Sequence, residues 1–257
     1  MQTSPSAPGA ETSGAADTTS APSSADAETA GEAAGEIPPT DADRYFEGSL
    51  FLGDSVMEGI SRYVRSQRSK GETVLSDARF LTDVSGIRIA DLVGDTEEGR
   101  ILYQYKGKSQ ELPDILSDIR PSRIFLFLGM NDLSYGYTAE ETIERYGRLI
   151  GILQEACPEA HLVVMTVTPK TDSQYLPWYC QNREFGSPLL NSFAQELTEF
   201  CEYHSLDFVD ANAVLRDESG NLPAEYSNDG YIHLNNEGAS LLIGALYDFA
   251  RQEMSES

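Results

Sequence analysis

Residues 123–128, Arg-Ile-Phe-Leu-Phe-Leu, run continuously apolar after the arginine and stop at Gly129-Met130-Asn131-Asp132. A strand with no polar alternate residue must be covered on both faces, which is the habit of central strands in parallel sheets. This run therefore demands helices above and below it. Further candidate strands lie at 49–53, 161–167 and 206–210. Helical periodicities lie between them. Val56, Ile60, Tyr63 and Val64 share a face over 56–67, and 112–119 reads as a short helix closed before Pro121. Thr138 and Glu141 have capping-box spacing ahead of Ile143, Tyr146, Leu149, Ile150 and Leu153. Residues 189–203 and 239–251 complete the series. The alternation predicts an α/β fold, a three-layer α/β/α sandwich around a parallel, flavodoxin-like sheet of about five strands. The polar and aromatic stretch 96–108 has no clear assignment.

The first 43 residues are of another kind. They are Ala, Ser, Thr, Gly, Pro, Asp and Glu almost throughout, with no aromatic residue and only Ile37 as a sizeable aliphatic after Met1. Such a segment cannot bury enough apolar surface to offset the entropy of ordering, so 1–43 is expected to be a disordered acidic linker and 44–257 one domain. The linker carries eight carboxylates and no Lys or Arg, leaving 34 acidic against 18 basic residues, a net of −16, in the rest. A surface this negative argues against nucleic acid or an anionic membrane as partner, because both need clustered cations to replace counterions. No apolar run approaches the roughly 18 residues that a membrane span needs, so no insertion into a membrane is expected. Neutral ligands such as esters or glycans stay open.

The chemistry is expected where strands end. Gly53-Asp54-Ser55 closes the first run just before a helical segment, which delivers Ser55 to the carboxyl edge of the sheet, where open α/β folds keep their sites. Taken alone, Gly-Asp-Ser is ordinary turn and N-cap chemistry. Asp54 itself has two readings, helix-start electrostatics or a direct catalytic part, and the structural one is favoured. Three later stretches change the weight: Val84-Ser85-Gly86, Phe127-Leu128-Gly129-Met130-Asn131-Asp132, and Asp229-Gly230-Tyr231-Ile232-His233-Leu234-Asn235.

In this order the four blocks resemble the SGNH (GDSL-like) hydrolase family over about residues 47–250. The resemblance implies Ser55 as nucleophile, His233 as base with Asp229 behind it, and an oxyanion hole from the Ser55 and Gly86 backbone N–H groups and the Asn131 amide. It implies acyl transfer to water without a cofactor, and no clustered His, Asp and Glu offers a metal site. One departure stands out. The family usually places the aspartate three residues before the histidine, and here position 230 is Gly, with Asp229 four before. Asn228 or a carboxylate from elsewhere is the alternative third member.

The family analogy and the acidic surface point to a small acyl ester, acetyl first, on a small molecule or a glycan. Longer acyl chains, a catalytically silent carbohydrate-binding domain and acyl transfer to a sugar hydroxyl are the rivals. The long connection 168–187 leaves a strand at the catalytic edge and is rich in aromatics. Tyr175, Trp178, Tyr179 and Phe185 are therefore expected to wall the substrate cleft, against the alternative of a flap packed only on the domain. A linker of this composition ahead of a hydrolase implies export or anchoring at the cell surface, with a cytoplasmic extension as the alternative. His161, at the amino end of its strand, reads as a surface histidine, and His204 as a helix C-terminal charge. Cys157, Cys180 and Cys201 fit neither a zinc site nor a redox pair and are expected as free thiols with at most one disulfide. Nothing in the sequence indicates an oligomeric state.

Overall fold

A computed structural model of the chain describes residues 40–82 and 84–256. The expected linker over 1–39 lies outside the described residues. Those described open with a short helix, α1 (Asp41–Arg44). Thr40 and Asp43 form a reciprocal capping box, Asp43 is buried, and the Tyr247 hydroxyl donates to its carboxylate.

Strand β1 (Ser49–Gly53) leads into α2 (Ser55–Arg68), followed by β2 (Arg79–Leu81) and α3 (Ile89–Val93). The stretch without assignment forms a small antiparallel hairpin, β3 (Tyr103–Tyr105) and β4 (Lys108–Gln110). Then come α4 (Leu112–Ile119), β5 (Arg123–Phe127), α5 (Met130–Tyr135), α6 (Ala139–Ala156) and β6 (His161–Met165). The chain ends with α7 (Ser187–His204), β7 (Asp207–Val209), α8 (Ala211–Leu215), a 3-10 turn at Ala224–Tyr226, and α9 (Asn236–Glu256).

The main sheet has five parallel strands in the order β2-β1-β5-β6-β7. Counted within the sheet, this is the flavodoxin-like order 2-1-3-4-5. β1 and β5 are buried along nearly their whole length, as their unbroken apolar sequences require. Register aligns Phe80, Phe51 and Phe125 in one row across β2, β1 and β5, with Phe51 stacked at 5.0 Å on Phe80 and at 4.5 Å on Phe125. Each such pair contributes roughly 1 kcal/mol beyond its buried area. Phe46 and Phe249 close over Phe125, so the residues after α1 and the last helix cover this face.

In a sheet of this order the direction in which strands are added reverses between β1 and β5, leaving a crevice at their carboxyl ends. Ser55 follows β1 and Asn131 follows β5, so the two residues flank that crevice. The three cysteines are free and buried. Among the described residues, no helix is long and apolar enough to cross a membrane.

Candidate active site

Gly53 ends β1 where no side chain fits. A Cβ there would stand 2.5 Å from the Met57 Cβ and 3.1 Å from the Phe127 carbonyl oxygen, so glycine is what lets the first turn of α2 close onto the sheet. Asp54 is the N-cap of α2, its Oδ1 accepting from the Val56 N–H at 2.9 Å. This is the structural role favoured from the sequence. Burial pushes its carboxyl up to about 6, against the Val56 hydrogen bond and the nearby His233, which favour the charged form. Ser55 is the first residue of the helix and half-buried.

His233 approaches from the loop before α9. Its Nε2 lies 3.0 Å from the Ser55 Oγ, and its Nδ1 lies 2.5 Å from the Asp229 Oδ2. The other oxygen of Asp229 accepts from the Tyr231 N–H at 2.8 Å, the Ser227 hydroxyl at 3.1 Å and the His233 N–H at 3.3 Å. Burial pushes this carboxyl up, but the hydrogen bonds from His233 and Tyr231 outweigh it and hold the group below its ordinary value. Asn228 is turned elsewhere: its amide donates to the Leu234 carbonyl and its N–H to the His233 carbonyl. The loop is strapped to the exit of β6, where Thr171 donates from its N–H to the Tyr231 carbonyl and from its hydroxyl to the Gly230 carbonyl.

Gly86 and Asn131 face the same cleft as Ser55. Gly86 has φ +70°, a conformation that a side chain would strain. Asn131 falls in the first turn of α5, where its amide donates to the Ile87 carbonyl at 3.0 Å and, more weakly, to the Asp54 Oδ2 at 3.4 Å. The neighbouring Asp132 is fully buried and accepts from the Ile89 and Ala90 N–H groups, which caps α3 and ties the loop carrying Gly86 to the end of β5. Burial raises its carboxyl to about 6, against those two N–H bonds.

The cleft holds about 570 Å³ and its walls include Trp178, Tyr179 and Phe185. The connection that supplies them is pinned to α5 by Gln181 and Asn182, whose N–H groups both donate to the Ser134 carbonyl. Trp178 is 94% exposed. Phe185 is largely buried and packs on Tyr231. Tyr175 departs from expectation: it is not among the cleft's lining residues and sets its ring edge-on to Tyr231 at 5.9 Å. Without periodicity in 168–187, the sequence could not say which aromatics face inward.

Tyr231, Arg88, Asp91 and Tyr135 are among the lining residues that the sequence reading did not single out. Tyr231 lies inside the His233 block, and its ring is a wall of the cleft. Arg88 is held by Asp91 through a two-pronged ion pair and sits 4.3 Å over the Tyr135 ring. The Arg88–Asp91 spacing was the available signal. At the opposite edge of the sheet His161 pairs with Asp207, with Glu253 close by. Among the described residues this is the one His and carboxylate group tight enough to share a cation, and it is remote from Ser55.

An N-acylneuraminate cytidylyltransferase of Streptococcus agalactiae serotype V is 27% identical over 133 residues, covering 52% of this chain and 29% of the relative. The chain thus spans about a third of the length of that curated relative. Two solved structures share the fold. A GDSL-like lipase from Bacteroides thetaiotaomicron superposes with a TM-score of 0.58 at 13% identity, covering 80% of this chain and 88% of the other. A family 3 carbohydrate esterase from Talaromyces cellulolyticus gives 0.56 at 13% identity, covering 81% and 98%. The model of the GDSL-like Lipase/Acylhydrolase family matches residues 51–241, most of the chain and all four sequence blocks up to His233. The chain belongs to the GDSL-like lipase/acylhydrolase family.

Proposed function

We propose that this protein is a serine esterase that removes small acyl groups, acetyl foremost, from carbohydrate. The observation that carries the reading is the continuous hydrogen-bonded line from the Ser55 Oγ through His233 to Asp229, at the mouth of a cleft beside two candidate oxyanion donors. His233 Nε2 takes the Ser55 proton as Oγ bonds to the ester carbonyl carbon. The oxyanion that forms is met by the Ser55 N–H at the positive end of α2, the Gly86 N–H and the Asn131 amide, which exchanges its long bond to Asp54 for this one. The intermediate collapses, the C–O bond to the alcohol breaks, and the His233 proton leaves with the alcohol. Water then attacks the acyl-serine, giving its proton to His233, and the acid departs as Ser55 recovers its hydrogen. Asp229 orients the ring and stabilises the imidazolium throughout.

Carbohydrate as the alcohol part is supported by the aromatic wall, since Trp178 and Tyr179 offer faces of the kind on which sugar rings stack. The names of two similar proteins, a carbohydrate esterase and an enzyme of acylated neuraminate sugars, agree with it. A second reading, a lipase-like or thioesterase-like enzyme for longer acyl chains, draws on the size of the cleft and on Met130, Phe185 and Ile232 in its lining. The acidic surface and the composition of 1–39 are consistent with export or anchoring at the cell surface.

The test is hydrolysis of 4-nitrophenyl esters from acetate to long chains, with Ser55→Ala alongside. Acetate preferred, and a loss of at least about three orders of magnitude in the variant, is the expected result. A preference for long chains selects the second reading. Equal inertness of both proteins overturns the esterase and moves the inquiry to glycan binding.

A further inference from the structure

Beside the aromatic cleft, a second cleft opens on Ser55. The second, of about 540 Å³, shares Ser55, Ser85 and His233 with the first and is otherwise lined by Glu58, Arg62, Thr82 and Asn228. Where the first is walled by Trp, Tyr and Phe rings, the second has none of these among its described lining residues. Its polar side is built by one face of α2, because positions 55, 58 and 62 are spaced i, i+3 and i+7 and so line up along the helix. Glu58 is fixed there by two donors, the Thr82 hydroxyl at 2.6 Å and Arg65 at 3.0 Å, and forms a looser ion pair with Arg62 at 3.8 Å. Asn228 is fixed at the other side by its bonds to the His233 and Leu234 carbonyls, within the same loop as His233.

This lining discriminates by charge. Glu58 disfavours an anion, Arg62 disfavours a cation, and no described lining residue has the aliphatic or large aromatic side chain that would favour an acyl tail. What it rewards is a neutral group with many hydroxyls, each able to accept from a guanidinium and donate to a carboxylate or amide oxygen. Both clefts reach the atom pair, Ser55 Oγ and His233 Nε2, between which the ester oxygen must pass. A molecule occupying both therefore presents its ester in the middle.

We propose that the polar cleft is a second carbohydrate subsite, so that the substrate is an acylated oligosaccharide gripped on both sides of the ester. One sugar unit lies on the aromatic wall and an adjoining unit bonds to Glu58, Arg62 and Asn228. The proposal rests on the esterase reading above and narrows its substrate class.

The experiment compares kcat/KM of the full chain on O-acetylated xylo-oligosaccharides and on mono-O-acetylated methyl xyloside, with 4-nitrophenyl acetate as reference. Arg62→Ala and Asn228→Ala are run beside wild type, with thermal melts to show that they fold. The expected result is a preference for the oligosaccharide of about tenfold or more, the equivalent of one or two hydrogen bonds. Both variants shrink it, chiefly through a higher KM for the oligosaccharide. Equal kcat/KM on the two xylosyl substrates, variants that lower both alike, or activity confined to 4-nitrophenyl acetate overturns the subsite and leaves the esterase standing. Inertness of wild type on all three substrates overturns both.

Discussion

Asp229 holds His233 at two points: its Oδ2 meets the ring Nδ1 at 2.5 Å, while its Oδ1 accepts from the backbone N–H of the same histidine at 3.3 Å. The additional residue between them is absorbed at Gly230, whose φ of +66° turns the chain back so that four positions span the distance. The displaced aspartate therefore reaches the ring. On this geometry Asp229→Asn is expected to lower kcat for 4-nitrophenyl acetate by about three to four orders of magnitude, with a smaller change in KM. Steady-state kinetics check it, and unchanged kcat would move the third member to another side chain.

Asn131 offers a different kind of test. Both hydrogens of its amide already have acceptors, and the one directed at Asp54 is 3.4 Å long, so it is the one available to a developing oxyanion. Asn131→Ala is expected to reduce kcat by about two to three orders of magnitude and leave KM within a few-fold. A variant that raises KM and spares kcat would make Asn131 a ground-state contact instead.

Asp132 should make stability depend on pH. Burial raises its folded value to about 6, above the value of roughly 4 for an exposed aspartate. The folded state then binds its proton more tightly than the unfolded state. The stability this contributes is complete below about pH 4 and is lost as pH rises through about 6. Asp54, raised to about 6 as well, acts in the same direction. Urea melts of wild type and Asp132→Asn between pH 4 and 8 should show a shallower fall in the variant. A variant that falls as steeply as wild type contradicts the assignment.

Gly53→Ala tests the closure of α2 on the sheet. The added methyl would meet the Met57 Cβ at 2.5 Å and the Phe127 carbonyl at 3.1 Å, neither of which can withdraw without moving helix or strand. A loss of about 1–3 kcal/mol is expected by chemical denaturation. Esterase activity should fall with it, since Ser55 rides on the displaced turn. Wild-type stability in the variant would show that α2 shifts freely.

The layered fold was legible because its signals are local. The unbroken apolar run at 124–128 called for a strand covered on both faces, and the Thr138 and Glu141 pair marked the start of α6 where the structure has its capping box. The hairpin at 103–110 was not legible. Its strands are three residues long and only Tyr103 of the six residues is buried, too short a stretch to imprint a readable burial pattern. The short helix at 41–44 was not legible for a related reason: Asp41 and Asp43 look like linker acids until the distant Tyr247 hydroxyl is found on Asp43.

By itself the sequence determined the residue types of the site and their order along the chain, because Gly-Asp-Ser, the glycine and asparagine after strands, and the histidine block each answer a requirement of backbone or chemistry that is met within a few residues. Only the tertiary structure decided which of them meet. Ser55 and His233 are 178 positions apart, and the 3.0 Å between their side chains follows from sheet order and from the Thr171 strap across the last loop. It also decided that Tyr231 faces the cleft and Tyr175 does not, and that one face of α2 lines a second, polar cleft. Contacts of that range are fixed by packing many elements at once, and no stretch of sequence carries them alone.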